Sequence, residues 1–517
     1  MSPRFLAFSV FSAGMTTLAV EFTASRLLGN VFGTSNLVWA SIIGLMLIYL
    51  TIGYFIGGRW ADRAPHLDLF YRIILWGAFT SGLAALAARP VLRLAADAFD
   101  HLQLGVLAGS FASVLILFIV PISLLGMVSP FAIRLSLDNK EQAGQTAGRL
   151  YAISTIGSFV GTFLPVLVVI PLVGSTYTFL IFSFYLMAVA LAGLWQAGGA
   201  RLAARWVWLP LLLAALSAIW AGGAFKNTPG QVYEAESAYN YIQVLEFNGT
   251  RYLRLNEGQG VHSVYNPEQL DFRGTWEQFL VAPFFNPDAE PHAVGRIAVV
   301  GLAAGTSALQ ASEVFGPVPI DGFEIDPKLI EVGRQLFGMT MPNLNAIAAD
   351  GRMGLRNSPH SYDLIQVDAY RPPYIPPHLT TVEFFSLCRE KLSEHGVLTI
   401  NVGRTPSDRR LVDALVATLS QVFASVHVMD VPNSFNSIVY ATVQPTSFDD
   451  LQANYIRLHG EPGVHPLLLT VIERALVNRQ QTPTGGLVLT DERAPVEWIV
   501  NSMVLNFFTS DGVEDLQ

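Results

Sequence analysis

The sequence predicts a chain of two halves: an N-terminal α-helical membrane bundle of about seven spans, then a small β-domain leading into an α/β domain with a doubly wound, Rossmann-like sheet. Three observations predict it. Of the 517 residues, 51% are hydrophobic and only 14% charged, and the mean hydropathy of +0.42 is too apolar for a soluble enzyme of this length. The apolar residues crowd into roughly the first 225 positions, up to "GGAFKNTPGQVYEAES", where Gly, Pro and charge arrive together. Beyond it, short apolar runs alternate with helix-length stretches, the pattern of a parallel sheet covered by helices. The expected domains are therefore a multi-span region over 1–225, a β-hairpin domain over 226–285 and a nucleoside-binding Rossmann-like domain over 286–517.

In the first half, stretches near 5–27, 36–58, 70–95, 104–132, 148–172, 175–197 and 205–224 are apolar and long enough to cross ~30 Å of hydrocarbon as helices of ~20 residues. The first continues into Glu21 and Arg26 and is followed by further spans, so it reads as a span rather than a cleaved signal. Basic residues fall in alternate connections: Arg59, Arg63 and Arg72, then Arg134, Lys140 and Arg149, then Arg201 and Arg205. Positive charge marks the cytoplasmic side. The N-terminus is then inside and, with an odd count, the second half lies outside; Arg89 and Arg93 after the third span weaken the contrast. "GGRWADR" (57–63) reads as a turn with stop-transfer charges, and Glu21 as an intramembrane acid with Arg26 as its candidate partner. Few polar groups line these helices, which favours a membrane anchor or a small-molecule access route over a transporter.

Bulk chemistry excludes other classes. The net charge is -9 with no Lys/Arg-rich run, so no electrostatic footprint for nucleic acid exists. The one cysteine, Cys388, permits neither an intramolecular disulfide nor a Cys-based metal site, and no metal is expected.

In the second half, "YIQVLEF" and "TRYLRL" flank Asn248-Gly249, a strong hairpin signal. Five strands follow, in "RIAVVGL" (296–302), "PIDGFEID" (319–326), "AIAAD" (346–350), "YDLIQVD" (362–368) and "GVLTINVG" (396–403). "SVHVMDV" and "SIVYATV" are joined by too few residues for a crossover helix, so they pair antiparallel. Ligands of such sheets sit at the carboxyl ends of the strands. Those ends carry, in order, Gly301-Leu-Ala-Ala-Gly305-Thr306, Glu324, Asp350-Gly351 and Asp368. Small residues at the first allow close backbone approach at a helix start. Glu324, 19 residues after Gly305, is placed to bind ribose hydroxyls; Asp350-Gly351 would meet an adenine edge. Any one of these acids could instead cap the next helix, and for Asp368 both readings, base or cap, stand. The prolines after it, Pro372, Pro373, Pro376 and Pro377, read as a rigid gate segment.

These residues, in this order, resemble the spermidine synthase (polyamine aminopropyltransferase) family, in particular its membrane-fused members. "ESAYNYIQV" (236–244) looks like the family's Glu-Ser-x-Tyr-Gln lead into its β-domain, and "LNEGQGVHS" (255–263) like its Leu-Asp-Gly-x-x-Gln-x-Ser hairpin. "PPHLTTVEFF" (376–385) and "LTDERAPVE" (489–497) look like segments of the fused subgroup. The resemblance spans about 230–497. It implies a β-hairpin domain before a methyltransferase-like Rossmann domain, often dimeric, moving an aminopropyl group from decarboxylated S-adenosylmethionine to a small-molecule amine or polyamine and releasing methylthioadenosine. By resemblance, Asp368 is the proton acceptor, Glu324 the ribose-binding acid and Asp350-Gly351 the adenine contact, with Gly301 and Gly305 in the glycine turn. Asn240 stands where a nucleoside-contacting Gln is usual. Glu277, Tyr370 and Arg371 fall at amine-side positions.

Two departures bear on the acceptor. The family's Gly-Gly-Gly-Asp-Gly turn has Ala304 at its Asp, and its Asp-Ser-x-Asp-Pro becomes Asp368-Ala369-Tyr370-Arg371-Pro372. Two carboxylates that would recognise ammonium groups are absent, and a cation replaces one. Two other readings therefore stay open: an S-adenosylmethionine-dependent methyltransferase, with Arg371 holding a carboxylate, and a non-catalytic membrane protein that senses a nucleoside or polyamine.

Overall fold

The computed structural model describes residues 2–32, 36–102, 106–137, 143–222, 228–256, 260–370 and 374–509. It divides into two compact units: Met1–Ile242 with Leu255–Gly258, and Gln243–Arg254 with Gln259–Gln517.

The first unit is helical. Its long elements are α1 (Pro3–Phe32), α2 (Asn36–Arg63), α3 (Leu67–Leu102), α4 (Val106–Gly126), α5 (Val128–Ser136), α6 (Ala143–Leu164) and α7 (Ile170–Gly198). Short α8 (Ala200–Ala204) and α9 (Trp208–Trp220) follow. Among the described residues, six helices are long and apolar enough to cross a membrane, by length and composition. One of the six, Ala143–Gly198, is 56 residues long, and it breaks at Gly174, whose φ of 79° and ψ of 170° are not helical. α1 packs along α6 and α7, α2 along α4, and α3 along α4 and α7. Glycine makes the closest of these approaches: a Cβ on Gly157 or Gly161 of α6 would run into the carbonyls of Phe11 and Met15 on α1.

Two expectations change here. "GGRWADR" is not a turn but the last turns of α2, which runs through Arg63; Asp62 pairs there with Arg134 at 3.2 Å, and the bend comes after it. Glu21 sits in the body of α1, well before its end. The Arg26 guanidinium donates to the Ser237 carbonyl at 2.6 Å and the Tyr239 carbonyl at 3.0 Å. Glu236 accepts from Asn30 Nδ2 (2.7 Å) and from the Ser175 amide (2.7 Å) and hydroxyl (3.0 Å). The segment 236–239, read as the lead into a β-domain, is thus held to the ends of α1 and α7.

Strand β1 (Gln231–Glu236) closes the first unit, and β2 (Tyr241–Phe247) begins there. β2 turns into β3 (Thr250–Leu255) through Asn248 (φ 51°) and Gly249 (φ 77°), the left-handed pair a two-residue hairpin needs. β4 (Val261–Tyr265) pairs antiparallel with β3.

The second unit holds one eight-stranded sheet in the order β12-β10-β11-β9-β8-β5-β6-β7. Its strands are β5 (Ile297–Val300), β6 (Ile320–Glu324), β7 (Leu344–Ala348), β8 (Tyr362–Val367), β9 (Leu392–Gly403), β10 (Ser425–Asp430), β11 (Asn436–Thr442) and β12 (Arg479–Gln480). β7, β6, β5, β8 and β9 are parallel, and β11 and β10 close the sheet antiparallel, as the strand pattern predicts. β12 was not expected: two polar residues leave no periodic signal. Connecting helices are α10 (Thr306–Phe315), α11 (Pro327–Leu336), α12 (Gly351–Asn357), α13 (Val382–Lys391) and α14 (Arg410–Leu419), with α15 (Phe448–Leu458), α16 (Pro466–Val477) and α17 (Val496–Thr509) beyond the hairpin. The central strands are buried on both faces: Ile297 and Val299 pack with Phe279 and Phe284, while Ala298 and Val300 pack with Phe384 and Leu398. That double burial explains why β5 reads as an unbroken apolar run.

Candidate active site

Chain order reverses between β5 and β8, so the ligand crevice opens at their carboxyl ends. The turn after β5 carries Gly301 (φ 89°) and Gly305 (φ 93°), conformations that glycine adopts without strain. At Gly301 the requirement is double, since a Cβ there would overlap the backbone of Asp368 and Ala369. The glycine turn and the end of β8 are therefore in backbone contact. Ser263 of β4 accepts from the Ala304 amide at 3.0 Å, and Thr306 and Val264 bond reciprocally. The serine ending the "LNEGQGVHS" motif thereby fixes the hairpin on this turn.

Glu324, at the end of β6, is 6% exposed and accepts from the Ala303 amide (2.8 Å) and the Asp326 amide (3.0 Å). Burial pushes its carboxyl up to about 7 against the pull of those amides. Asp326 caps α11 through the Lys328 amide. Asp350 does two things: Oδ1 accepts from the Met353 amide at 3.0 Å as the cap of α12, and Oδ2 lies 3.0 Å from His378 Nε2. Gly351 packs on the Val300 side chain, where a Cβ would collide.

Asp368 follows β8 and lines a cavity of about 530 Å³ together with Trp276, Ala303, Tyr370, Asn401 and Phe435. Asn401 Nδ2 donates to Asp368 Oδ1 at 2.9 Å, and Asn436 Nδ2 donates to Asn401 Oδ1 at 2.8 Å. Trp276 is a further donor to the carboxyl. Burial is the larger influence and raises Asp368 to about 7, although these donors favour its anion. A carboxyl so poised, and held in one orientation by neutral donors, can accept a proton near neutral pH. Among the described residues Asp368 caps no helix, the next described helical turn beginning at Pro377.

The remaining expected residues are placed as follows. Tyr370 lines the cavity, and burial holds its phenol well above the usual range. Arg371, with Pro372 and Pro373, lies outside the described residues. Glu277 is fully buried and is not among the lining residues. Its carboxyl accepts from the Gly274 amide (2.7 Å) and Gln310 Nε2 (3.3 Å), and burial raises it to about 7. Asn240 belongs to the first unit, where its side-chain oxygen accepts from Asn256 Nδ2 at 3.1 Å. Among the described residues, no cluster of His, Cys, Asp or Glu is arranged to hold a metal.

Sequence reasoning missed Asn401, Trp276, Asn436 and His262. Asn401 had a signal: it is a polar residue near the carboxyl end of β9, next to Ile400, which pairs with Val367 beside Asp368. Trp276 was visible only as the neighbour of Glu277. His262 is kept neutral by burial, its pKa lowered to about 4, and nothing in its local sequence marks it.

The model of the spermine/spermidine synthase domain matches residues 317–449, which contain Glu324, Asp350 and Asp368. The C-terminal half of the chain is thus similar to the spermidine synthase family. The chain is 28% identical over 291 residues to the probable polyamine aminopropyl transferase of Bifidobacterium longum, covering 53% of this chain and 63% of the relative. It is 29% identical over 235 residues to the polyamine aminopropyltransferase of Vibrio vulnificus, covering 43% of this chain and 74% of the relative. Among solved structures it is similar to a probable spermidine synthase from Corynebacterium glutamicum, with a TM-score of 0.40 and 20% identity over 52% of this chain and 97% of the other. The match to the first relative thus spans just under two thirds of that protein.

Proposed function

We propose that the protein is a membrane-anchored aminopropyltransferase that moves the aminopropyl group of decarboxylated S-adenosylmethionine to an amine acceptor, with methylthioadenosine as the second product. The observation that carries this reading is the setting of Asp368: at the carboxyl end of β8, lining a cavity, oriented by Asn401 and Trp276, and raised to about 7. The acceptor nitrogen attacks the methylene carbon bonded to the sulfonium. A C–N bond forms, the C–S bond breaks with its electron pair going to sulfur, and the proton released from nitrogen passes to the Asp368 carboxylate. Glu324 would hold the ribose hydroxyls beside the glycine turn of Gly301 and Gly305, and Asp350-Gly351 the adenine edge. Tyr370 and Arg371 are the candidates for the acceptor side. No metal enters this chemistry.

The test is turnover by the full chain in detergent with decarboxylated S-adenosylmethionine and a panel of amines, followed by mass spectrometry. Methylthioadenosine and an amine heavier by one aminopropyl group are expected. Asp368→Asn should lower kcat by ~10²–10⁴-fold, the usual worth of a positioned base, with nucleoside binding retained. Unchanged turnover removes Asp368 from the role of base, and methyl transfer from intact S-adenosylmethionine instead would replace the reading altogether.

The membrane part of the proposal rests on the helices long and apolar enough to span and on the alternate basic connections. It makes the protein multi-pass in the cell membrane, with the bilayer as its first partner.

A further inference from the structure

We propose that the acceptor is a monoamine with an apolar body rather than a diamine or polyamine. This deepens the aminopropyl-transfer reading and rests on it. The cavity beside Asp368 is walled on one side by Phe435, Val500, Met503 and Phe507. Phe435 immediately precedes β11 and the other three belong to α17, elements that bring no acid to the described lining. Among the described residues that line it, Asp368 is the only carboxylate.

That one acid is fully engaged by the chemistry. It takes the proton from the attacking nitrogen, and the donor's aminopropyl group carries an ammonium of its own into the same site. A diamine would add a second ammonium at the far end of its chain. The far end here meets the apolar wall and Arg404. Arg404 Nε is 3.2 Å from Asp430 Oδ1, while Arg409 NH1 is 2.7 Å from Asp430 Oδ2. With Asp408 on Arg410 and Asp413 near Arg409, the charges of this corner balance, and its carboxylates are already matched by guanidinium groups. The other titratable lining groups, His262, lowered by burial to about 4, and Tyr370, raised by burial, bring no negative charge. A distal cation would be desolvated against the apolar wall with no second carboxylate among the described lining residues, which is unfavourable. A distal alkyl or aryl group would instead remove apolar wall from water and gain from it.

The test uses the full chain in detergent, saturated with decarboxylated S-adenosylmethionine, and compares n-hexylamine and phenethylamine with 1,4-diaminobutane and spermidine. Released methylthioadenosine reports transfer, and product mass identifies the acceptor. The apolar monoamines are expected to exceed the diamine in kcat/KM by at least about tenfold. Phe435→Asp places a carboxylate on the wall at a residue 44% exposed, where folding does not depend on it, and should move the preference toward the diamine by about tenfold. Equal or better turnover of the diamine by the unaltered protein overturns the inference and leaves aminopropyl transfer standing. So does a preference that Phe435→Asp does not move. Absence of methylthioadenosine with every amine, from protein that still binds the nucleoside, overturns the aminopropyl reading and this inference with it.

Discussion

A carboxylic acid whose pKa rises on folding destabilises the fold at high pH, and Asp368 makes that measurable. Its folded value is about 7, against ~3.9 for an unfolded aspartate. Between those values the folded state binds more protons than the unfolded one, so stability falls as pH rises from about 4 to 7 and stays reduced above. Asp368→Asn removes the effect while keeping the hydrogen-bond shape. The variant should melt above the unaltered protein at pH 8, with the gap closing toward pH 4, as followed by thermal unfolding in detergent. A gap that is constant with pH would mean the carboxyl is not buried as described. For catalysis the same titration runs the other way: the base form fills as pH rises through about 7, so kcat/KM should climb there. Asp368 and its strand could be read from the sequence. The raised pKa could not, because it depends on burial and on Asn401 and Trp276, which lie 33 and 92 residues away in the chain.

At the scale of elements, two segments that the sequence marks separately are brought together. "PPHLTTVEFF" and "LTDERAPVE" meet through Arg352 of α12. Its guanidinium donates to both Asp491 oxygens (2.8 and 2.7 Å) and to the His378 carbonyl (3.1 Å). Thr381 Oγ1 donates to Asp491 at 2.7 Å, and the Val382 amide to the Leu489 carbonyl at 2.9 Å. The Arg352 guanidinium holds the Asp491 carboxyl down near 2. His378 also sits on Asp350, beside this clasp, and Tyr374 donates to Asn501 of α17 at 2.6 Å. Asp491 is partly exposed, so the pair is worth about 1 kcal/mol. Arg352→Ala should therefore speed amide exchange about fivefold in 378–382 and 489–493 while moving global melting little. Unchanged exchange in both segments would show that the clasp does not hold them.

For the whole molecule, the decisive question is how many times the chain crosses the bilayer. A straight helix of 56 residues would be about 84 Å long at 1.5 Å per residue, far beyond the ~30 Å hydrocarbon core. Ala143–Gly198 is that long, and it breaks at Gly174. On the membrane reading proposed above, counting it as two crossings makes seven, an odd number, which with the positive-inside pattern would place the Rossmann-like domain outside. A reporter that is active only outside the cytoplasm, fused after Gln517, should be active, and one that requires the cytoplasm should be silent. The reverse result would mean an even count.

Much of this was legible in order along the chain. Hydropathy located the helices, alternation and Asn248-Gly249 located the hairpin, and four of the strand ends presented Gly301, Glu324, Asp350 and Asp368 because each strand delivers its last residues to one edge. These are local properties, set by side-chain pattern and backbone preference within a dozen residues. What only the tertiary structure decided are the relations between distant segments. It set Asn401 and Trp276 on Asp368, Arg352 between two motifs, Ser263 on the glycine turn, and the helical continuation through "GGRWADR". It also turned Glu277 away from the cavity, where sequence similarity alone had placed it among the acceptor contacts. Burial and hydrogen-bond partners depend on which surfaces meet across the fold, and no local pattern encodes that meeting.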